Sequence, residues 1–272
     1  MKGLKYLLIC ALILVVSVGG WIYSPQYQIN KLKRESMAVG KDFSKETYLD
    51  YYRQSKKEDI YHLALGDSII HGFGVGEKEN FVYNFSNQLG EEINKTVHYN
   101  NKGKNGMTST DLHKLIHDGV YDQEIANSDI ITINIGGNDV LKTARKKDYY
   151  EAVKSFNTLQ STFTKNLTST INKIKKINPN VTIVLLELYN PLPAEHQLAR
   201  VAESLLSKWN IKIYEIAKET PSSLVVQTTK VINSKNQQNL SQDGVHPNPA
   251  GYAAITKQLL KQFSKEFRRQ AV

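Results

Sequence analysis

The sequence contains a single cysteine, Cys10, among its 272 residues. One cysteine cannot form an intramolecular disulfide bond, and it provides no cysteine pair for a zinc site. Sixteen glycines and seven prolines are too few for a collagen-like chain, and a hydrophobic share of 40% is too high for a disordered one. Acidic residues are also few, with 26 against 35 basic residues. The basic excess suits an anionic partner such as nucleic acid, anionic lipid or an anionic polymer, but it says nothing about the fold.

Motifs for nucleotides and metals are incomplete in this sequence. The glycine-rich stretch 72–76 (GFGVG) is followed by Glu77, where a dinucleotide-binding motif needs glycine, and no Gly-Lys-Ser/Thr follows it. His113 and His117 have a metal-compatible spacing, but Asp118 does not complete a His-Glu-x-x-His pattern. No basic–aromatic stripe points to nucleic acid. We therefore expect no nucleotide cofactor, no metal and no nucleic-acid partner, and we interpret 72–76 as a flexible loop.

Residues 6–23 (YLLICALILVVSVGGWIY) form an uncharged run that follows Lys2 and Lys5. A helix of this length spans about 27 Å, close to the ~30 Å hydrocarbon core of a bilayer. Lysines before the run predict that the N-terminus lies inside the cell and the rest of the chain outside. The remainder of the chain has no cysteine, which suits an oxidising compartment.

Two interpretations of this N-terminal segment (residues 1–25) remain open. The small residues 17–19 form an acceptable cleavage site for a secreted protein. Trp21 and Tyr23 favour instead an uncleaved membrane anchor, because aromatic rings are typical of the membrane interface. Residues 26–58 are polar with little periodicity and are predicted to be a linker or loose stalk, with one domain over 59–272.

From residue 60 onward, short apolar runs alternate with stretches of helical periodicity. The run at 129–135 (DIITINI) is rich in β-branched residues, as is typical of a strand. Alternating strands and helices predict a single α/β domain with a parallel sheet covered on both faces. The predicted strands are 60–65, 97–101, 129–135, 181–186 and 224–227, and the predicted helices are 81–93, 110–117, 149–177, 199–218 and 249–267.

Small polar residues follow three of these strands, and a similar group precedes the last helix. Gly66, Asp67 and Ser68 follow the first strand, 105–106 follows the second, and 136–139 (GGND) follows the third. The sequence 243–247 (DGVHP) comes just before the last helix. Ligands bind beyond the carboxyl ends of the strands in open sheets of this kind, so we expect these groups to meet in one site.

These residue types are the ones that acyl transfer through a serine requires. A nucleophilic serine needs a base within hydrogen-bond reach, and the base needs an acceptor that orients it. Ser68 is the candidate nucleophile, His246 the candidate base, and Asp243, three residues earlier on the same turn, the candidate acceptor. The N–H groups of Ser68 and Gly106 and the side-chain amide of Asn138 are candidate donors to an oxyanion.

Four sequence blocks resemble those of the SGNH (GDSL-type) hydrolases, a family named for its Ser, Gly, Asn and His residues. They occur in the family's order, as 64–69 (ALGDSI), 105–109 (NGMTS), 136–139 (GGND) and 243–247 (DGVHP). The resemblance covers about residues 60–265 and is closest to the bacterial lipase/acylhydrolase branch, whose membrane-tethered members are similar to this chain. It implies a flavodoxin-like, three-layer α/β/α fold with a five-stranded parallel sheet, and hydrolysis of esters or thioesters without a metal or cofactor.

The resemblance also implies a role for individual residues of the four blocks. Ser68 is the expected nucleophile, His246 the expected base and Asp243 the expected acid. Ser68, Gly106 and Asn138 are the expected oxyanion donors. The prediction is an outward-facing, membrane-tethered serine hydrolase that binds a lipid-like or small ester.

Two alternatives to this function remain. One is an esterase that removes O-acetyl groups from cell-wall glycan, and the other is an anchored binding protein that has lost its chemistry. The apolar residues Phe73, Val75 and Leu192 near the cleft favour lipid acyl chains over acetyl groups. The intact set of Ser68 and its partners disfavours the binding protein.

The residues around the blocks are expected to have supporting roles. Asp67 is interpreted as a structural hydrogen-bonding residue, Asp139 as a brace for its loop, and His71 as a loop histidine. Residues 189–193 (YNPLP) either shape the pocket or form a proline-fixed turn. Ile69 stands where leucine is commoner in the family, but it is apolar and similar in size.

Overall fold

The computed structural model describes residues 24–32, 34–35, 46–146 and 149–269. Within them a five-stranded sheet forms, in which all neighbouring strands are parallel and the order is β2-β1-β3-β4-β5. The predicted α/β fold with a five-stranded parallel sheet is therefore confirmed. The strands are β1 (Asp59–Gly66), β2 (Thr96–Gly103), β3 (Ile130–Asn134), β4 (Thr182–Leu186) and β5 (Ser223–Val226).

Helices connect the strands, and the last of them begins as the sequence predicts. The Asn248 side chain accepts a hydrogen bond from the N–H of Gly251 at 2.9 Å, and Pro249 opens the helix. This helix ends at Phe263, not at residue 267, because the following chain leaves it to pair Phe267 with Thr47. From residue 46 onward the helices are Tyr48–Gln54, Ser68–His71, Phe81–Ile93, Ser109–His117, Asp122–Asn127, Gly137–Lys146, Tyr149–Ile177, Ala199–Glu219 and Pro249–Phe263, with short 3-10 turns at Glu77–Glu79, Thr228–Lys230 and Gln237–Asn239. Residues 24–32 and 34–35 are also helical.

Alternate residues of the central strands point to opposite faces of the sheet. On β3, Ile131 and Ile133 belong to one buried apolar cluster, whereas Ile130 belongs to the other. Every residue of β3 and β4 is buried, which explains why apolar residues predominate in both strands. Burial of each large aliphatic side chain contributes roughly 1.5–3 kcal/mol, so the two clusters supply most of the driving force for this arrangement.

Each face of the sheet is covered by its own helices. In one layer Phe163 and Trp209 pack with their ring centroids 4.6 Å apart, which joins the helices Tyr149–Ile177 and Ala199–Glu219. In the other layer Phe85 and Phe263 pack at 5.1 Å and join Phe81–Ile93 to Pro249–Phe263. Aromatic pairs at these distances bury large apolar surfaces and fix the position of each helix against the sheet.

The N-terminal membrane segment predicted over residues 6–23 lies outside the described residues. Among the helices that the structure does describe, none combines the length and the apolar character that a membrane crossing requires.

The stretch 26–58, expected to be a linker or loose stalk, is in part packed against the domain. The helix Tyr48–Gln54 buries Tyr48, Leu49 and Tyr52. The Tyr48 hydroxyl donates to the carbonyl oxygen of Ser223 at 2.7 Å. The Tyr52 hydroxyl donates to the carbonyl oxygen of Asp129 at 2.8 Å and lies 2.7 Å from Thr182 Oγ1, from which it can accept. Tyr48 and Tyr52 lie four residues apart on one helical face, so both reach the sheet together. The packed domain thus begins before residue 59.

Candidate active site

The site forms at the point where the order of the strands reverses. The chain runs from β1 to β2 on one side and then crosses to β3 on the other, so β1 and β3 are neighbours with a crevice at their carboxyl ends. Gly66 ends β1 opposite Asn134, the last residue of β3. A Cβ atom on Gly66 would lie 2.0 Å from the Asn134 carbonyl oxygen, so this close approach requires glycine.

Asp67 ties the two strand ends together. Its Oδ1 accepts hydrogen bonds from the side-chain amide of Asn134 at 2.8 Å and from the N–H of Ile69 at 3.0 Å. The second bond caps the short helix Ser68–His71. Asp67 is only 2% exposed, and this burial raises the pKa of its carboxyl to about 6, against the lowering effect of both bonds. These contacts agree with the structural role expected for Asp67.

Ser68 is the first residue of that short helix and is nearly buried. Its Oγ lies 2.8 Å from His246 Nε2, although the two residues are 178 positions apart in the sequence. The described residues provide no hydrogen-bond acceptor for the Ser68 N–H. The hydroxyl thus has a base beside it, and the backbone N–H points out of the helix end without a partner there.

His246 is oriented by Asp243 on the same turn. His246 Nδ1 lies 2.6 Å from Asp243 Oδ2, while Asp243 Oδ1 accepts from the N–H groups of Val245 at 2.9 Å and His246 at 3.0 Å. With Nδ1 donating to the carboxylate, Nε2 is left as the acceptor for the Ser68 hydroxyl. Burial opposes the charge on Asp243, but the bonds from His246, Val245 and Ser241 outweigh it and hold the pKa of Asp243 well below its usual range.

The loop that carries His246 is fixed from both ends. The N–H of Ser241 donates to the His246 carbonyl oxygen at 2.8 Å, and Leu240 pairs with Pro247. Beyond β4, the hydroxyl of Tyr189 donates to the Val245 carbonyl oxygen at 2.7 Å. The sequence predicts that residues 189–193 shape a pocket or form a turn, but no local pattern indicates that Tyr189 braces the loop of the histidine.

Gly106 lies in a turn beside the end of β2. The turn is closed by a hydrogen bond from the Met107 N–H to the Lys104 carbonyl oxygen at 3.1 Å. Gly106 has a φ of 76°, which strongly favours glycine, and a Cβ there would meet nothing within 4 Å. Its N–H, like that of Ser68, has no acceptor among the described residues. The backbone at Gly106 is therefore open to a bound molecule.

Asn138 connects the loop after β3 to the turn of Gly106. Its Nδ2 donates to the Met107 carbonyl oxygen at 3.0 Å, which leaves the second N–H of the amide for another acceptor. The neighbouring Asp139 accepts from the N–H of Ser109 at 2.9 Å and from the Ser109 hydroxyl at 2.6 Å. Burial raises the pKa of Asp139, against the effect of these bonds. Asp139 thus braces the loop, as expected.

Two further histidines and a large groove lie apart from this arrangement. His117 Nε2 is 2.9 Å from Ser169 Oγ, and His113 Nε2 is 3.2 Å from the same oxygen. Across the described part of the chain, no three side chains of histidine, cysteine, aspartate or glutamate gather as metal ligands. A groove of about 930 Å³ runs along the helix Tyr149–Ile177, and its lining includes His117 and Ser169 but neither Ser68 nor His246.

Comparisons with known proteins identify relatives over most of the chain. A family model described as "GDSL-like Lipase/Acylhydrolase family" matches residues 64–254, a stretch that contains Ser68, Gly106, Asn138, Asp243 and His246. The curated spore germination lipase LipC of Bacillus licheniformis is 28% identical over 208 residues, which cover 74% of this chain and 94% of LipC.

Solved structures show the same architecture. The lipase Lip_vut3 from a goat rumen metagenome superposes with a TM-score of 0.67 at 26% identity, over 75% of this chain and 97% of Lip_vut3. The acetylxylan esterase Axe2 from Geobacillus stearothermophilus superposes with a TM-score of 0.57 at 22% identity, over 78% of this chain and 97% of Axe2. At that identity the second similarity is one of fold.

Proposed function

The chain belongs to the GDSL-like lipase/acylhydrolase family and is a serine hydrolase of ester bonds; from that premise we propose which residues carry the reaction. Ser68 is the nucleophile, His246 is the general base and Asp243 orients His246 and stabilises its protonated form. The single observation that carries this proposal is the continuous contact from Asp243 Oδ2 to His246 at 2.6 Å and from His246 to Ser68 Oγ at 2.8 Å.

The first half of the reaction forms an acyl-enzyme. As Ser68 Oγ attacks the ester carbonyl carbon, its proton passes to His246 Nε2 and the carbonyl oxygen becomes an oxyanion. The imidazolium then gives this proton to the alcohol oxygen as the carbon–oxygen bond breaks. The alcohol leaves, and the acyl group remains on Ser68.

The oxyanion is held by three donors in this proposal. They are the N–H groups of Ser68 and Gly106 and the side-chain amide of Asn138. Support comes from the two backbone N–H groups, which have no acceptor among the described residues, and from the second Asn138 N–H, which its bond to Met107 leaves available. Donors fixed in place before the reaction stabilise developing charge more strongly than mobile water does.

The second half of the reaction releases the acid. Water takes the place of the alcohol, His246 removes one of its protons, and the resulting hydroxide attacks the acyl carbon through the same oxyanion site. His246 then returns the proton to Ser68 Oγ. None of these steps calls for a cofactor, and the low pKa of Asp243 keeps its carboxylate charged throughout.

The proposed substrate is a lipid-like or small acyl ester. The exposed ring of Phe73 beside His246 favours a substrate with apolar atoms, and the name of LipC, a lipase, supports the same class. Removal of acetyl groups from cell-wall glycan is the second candidate, favoured by the shared fold with the acetylxylan esterase Axe2. The two candidates differ in the preferred length of the acyl chain.

The proposed location is the outer side of a cell membrane. The uncharged run 6–23 after Lys2 and Lys5 supports export, with Trp21 and Tyr23 favouring a retained anchor over a cleaved signal. Held there, the enzyme would meet esters of the membrane surface or of the cell wall.

The test measures hydrolysis of p-nitrophenyl esters from acetate to palmitate by the full chain in detergent micelles. Ser68→Ala should abolish turnover. Ser169→Ala is the matched control, since Ser169 also contacts a histidine, His117, at 2.9 Å but has no part in the proposed reaction. An optimum at octanoate or longer supports the lipid-like ester, and an optimum at acetate supports the deacetylase. Equal activity of wild type and Ser68→Ala would contradict the mechanism.

A further inference from the structure

Phe73 is a large apolar side chain that is 41% exposed next to the proposed base. The centroid of its ring lies 4.4 Å from that of the His246 imidazole, with the two planes at 39°. Most large hydrophobic side chains of this domain are buried, so an exposed ring in contact with a reacting group is unusual. A ring held in this way presents an apolar surface to a molecule bound at Ser68.

The backbone fixes Phe73 relative to the nucleophile. The N–H groups of Gly72 and Phe73 both donate to the Ser68 carbonyl oxygen at 3.0 Å, and the Val75 N–H donates to the Gly72 carbonyl oxygen at 3.2 Å. Val75 packs against the buried apolar cluster on the Phe81–Ile93 face of the sheet. The stretch 72–76, interpreted from the sequence as a flexible loop, is thus tied to Ser68 and to the core, and the Phe73 ring is the exposed part of it.

The direction of proton transfer decides which part of the substrate lies beside this ring. His246 takes the proton from Ser68 and must then reach the oxygen of the departing alcohol. The alcohol therefore lies against His246 when the ester bond breaks, whereas the acyl group stays attached to Ser68. Since Phe73 packs on His246, its ring borders the space through which the alcohol, not the acyl chain, extends.

We infer that Phe73 is a specificity-determining residue that forms the apolar wall of the subsite for the leaving alcohol. This inference rests on the proposed function and deepens it, because it assigns the substrate class: esters whose alcohol presents an apolar face to the ring. Esters of longer alkyl or of aryl alcohols fit this description. The methyl group of a methyl ester is too small to contact the Phe73 ring. Loss of a well-packed apolar contact in a substrate pocket changes kcat/KM by roughly tenfold or more.

The experiment varies the alcohol and the acyl group independently. The full chain in detergent micelles is assayed on methyl, butyl, hexyl and 2-phenylethyl butyrate, and on methyl esters from acetate to octanoate. The ratio of wild-type to variant kcat/KM is taken for each ester, so that the intrinsic reactivity of the ester cancels. The variants are Phe73→Ala and Phe73→Leu, and the matched control is Phe267→Ala, whose ring is 44% exposed away from the site.

The inference predicts a ratio for Phe73→Ala that rises from about one on methyl butyrate to about tenfold on hexyl or 2-phenylethyl butyrate. Phe73→Leu should give an intermediate ratio, and the acyl series should give a constant one. Phe267→Ala should leave every ratio near one.

Three results would overturn the inference that Phe73 lines the alcohol subsite. A ratio that rises with acyl length would place the ring on the acyl side, and an equal loss on every ester would make Phe73 a structural support for His246. In both cases the wild type would still hydrolyse esters, so the proposed function would be kept and only the inference would fail. Absence of hydrolysis by folded wild type on all esters would remove the proposed function together with the inference.

Discussion

The hydroxyl of Tyr189 donates a hydrogen bond to the carbonyl oxygen of Val245 at 2.7 Å and thereby joins the end of β4 to the loop of His246. The two residues are 56 positions apart. Val245 immediately precedes the histidine, and its N–H donates to Asp243. Tyr189 therefore holds the backbone between the proposed base and the carboxylate that orients it.

Tyr189→Phe should lower kcat by about three- to tenfold with little change in KM, because the loop of His246 loses a support but keeps its own bonds. Loss of the donor to this partly buried carbonyl oxygen should lower the free energy of unfolding by about 1 kcal/mol. Steady-state kinetics and urea unfolding measure the two effects separately.

Tyr48→Phe provides the control for this variant. It removes an equivalent bond, from a buried tyrosine hydroxyl to the Ser223 carbonyl oxygen at 2.7 Å, on a helix that lacks site residues. Because this bond is buried, its loss should cost at least as much stability, and it should leave kcat unchanged. A similar loss of kcat in both variants would show that Tyr189 acts only through overall stability.

Asn138→Ala should reduce kcat by roughly 10²–10³ while the protein stays folded, since one of three oxyanion donors is lost. Asn178→Ala is a suitable control, because its amide also donates to backbone carbonyl oxygens, at 2.7 Å for Ser128, but outside the site. Stopped assays with a short p-nitrophenyl ester measure kcat, and circular dichroism checks the fold. A kcat near that of wild type would exclude Asn138 from the reaction.

Asp67 should make the stability of the protein depend on pH. Burial raises the pKa of its carboxyl from 3.8 to about 6 in the folded state, so the folded protein binds the proton more strongly than the unfolded chain does. The free energy of unfolding that Asp67 contributes is then fully present below about pH 4 and is lost as the pH rises to about 6.

Asp67→Asn keeps an oxygen to accept the Ile69 N–H but does not titrate. The unfolding free energy of wild type should fall relative to this variant between about pH 4 and 6, by about 2–3 kcal/mol at most. Urea unfolding at half-unit steps of pH gives this difference. A difference that stays flat, or that grows in favour of wild type as the pH rises, would contradict a raised pKa.

The sequence was sufficient to predict the central sheet and the meeting of the site loops. Strand β3 is rich in β-branched residues and buried along its length. Its local sequence is therefore enough to predict a buried strand. Residues at the carboxyl ends of parallel strands must share one edge, so Ser68 and Asn138 could be assigned to one crevice without coordinates.

Contacts between distant segments could not be predicted in this way. The helix Tyr48–Gln54 lies in a stretch that is polar with little periodicity, which predicts a linker, and the partners of its tyrosines, Ser223 and Thr182, lie 175 and 130 positions away. The contacts of Tyr189 with Val245 and of Phe73 with His246 have the same character. No local pattern of residues encodes such pairs, since they depend on how the loops meet after the sheet has formed.

The most direct test of the account is to identify the residue that reacts covalently. The folded full chain is treated with an alkyl fluorophosphonate, which transfers a phosphonyl group to an activated serine with loss of fluoride, and the labelled peptide is sequenced by mass spectrometry. The account predicts one adduct per chain, on Ser68, and no labelling of Ser68→Ala or of His246→Ala. A label on a different serine, or folded wild type that hydrolyses esters without being labelled at Ser68, would contradict it.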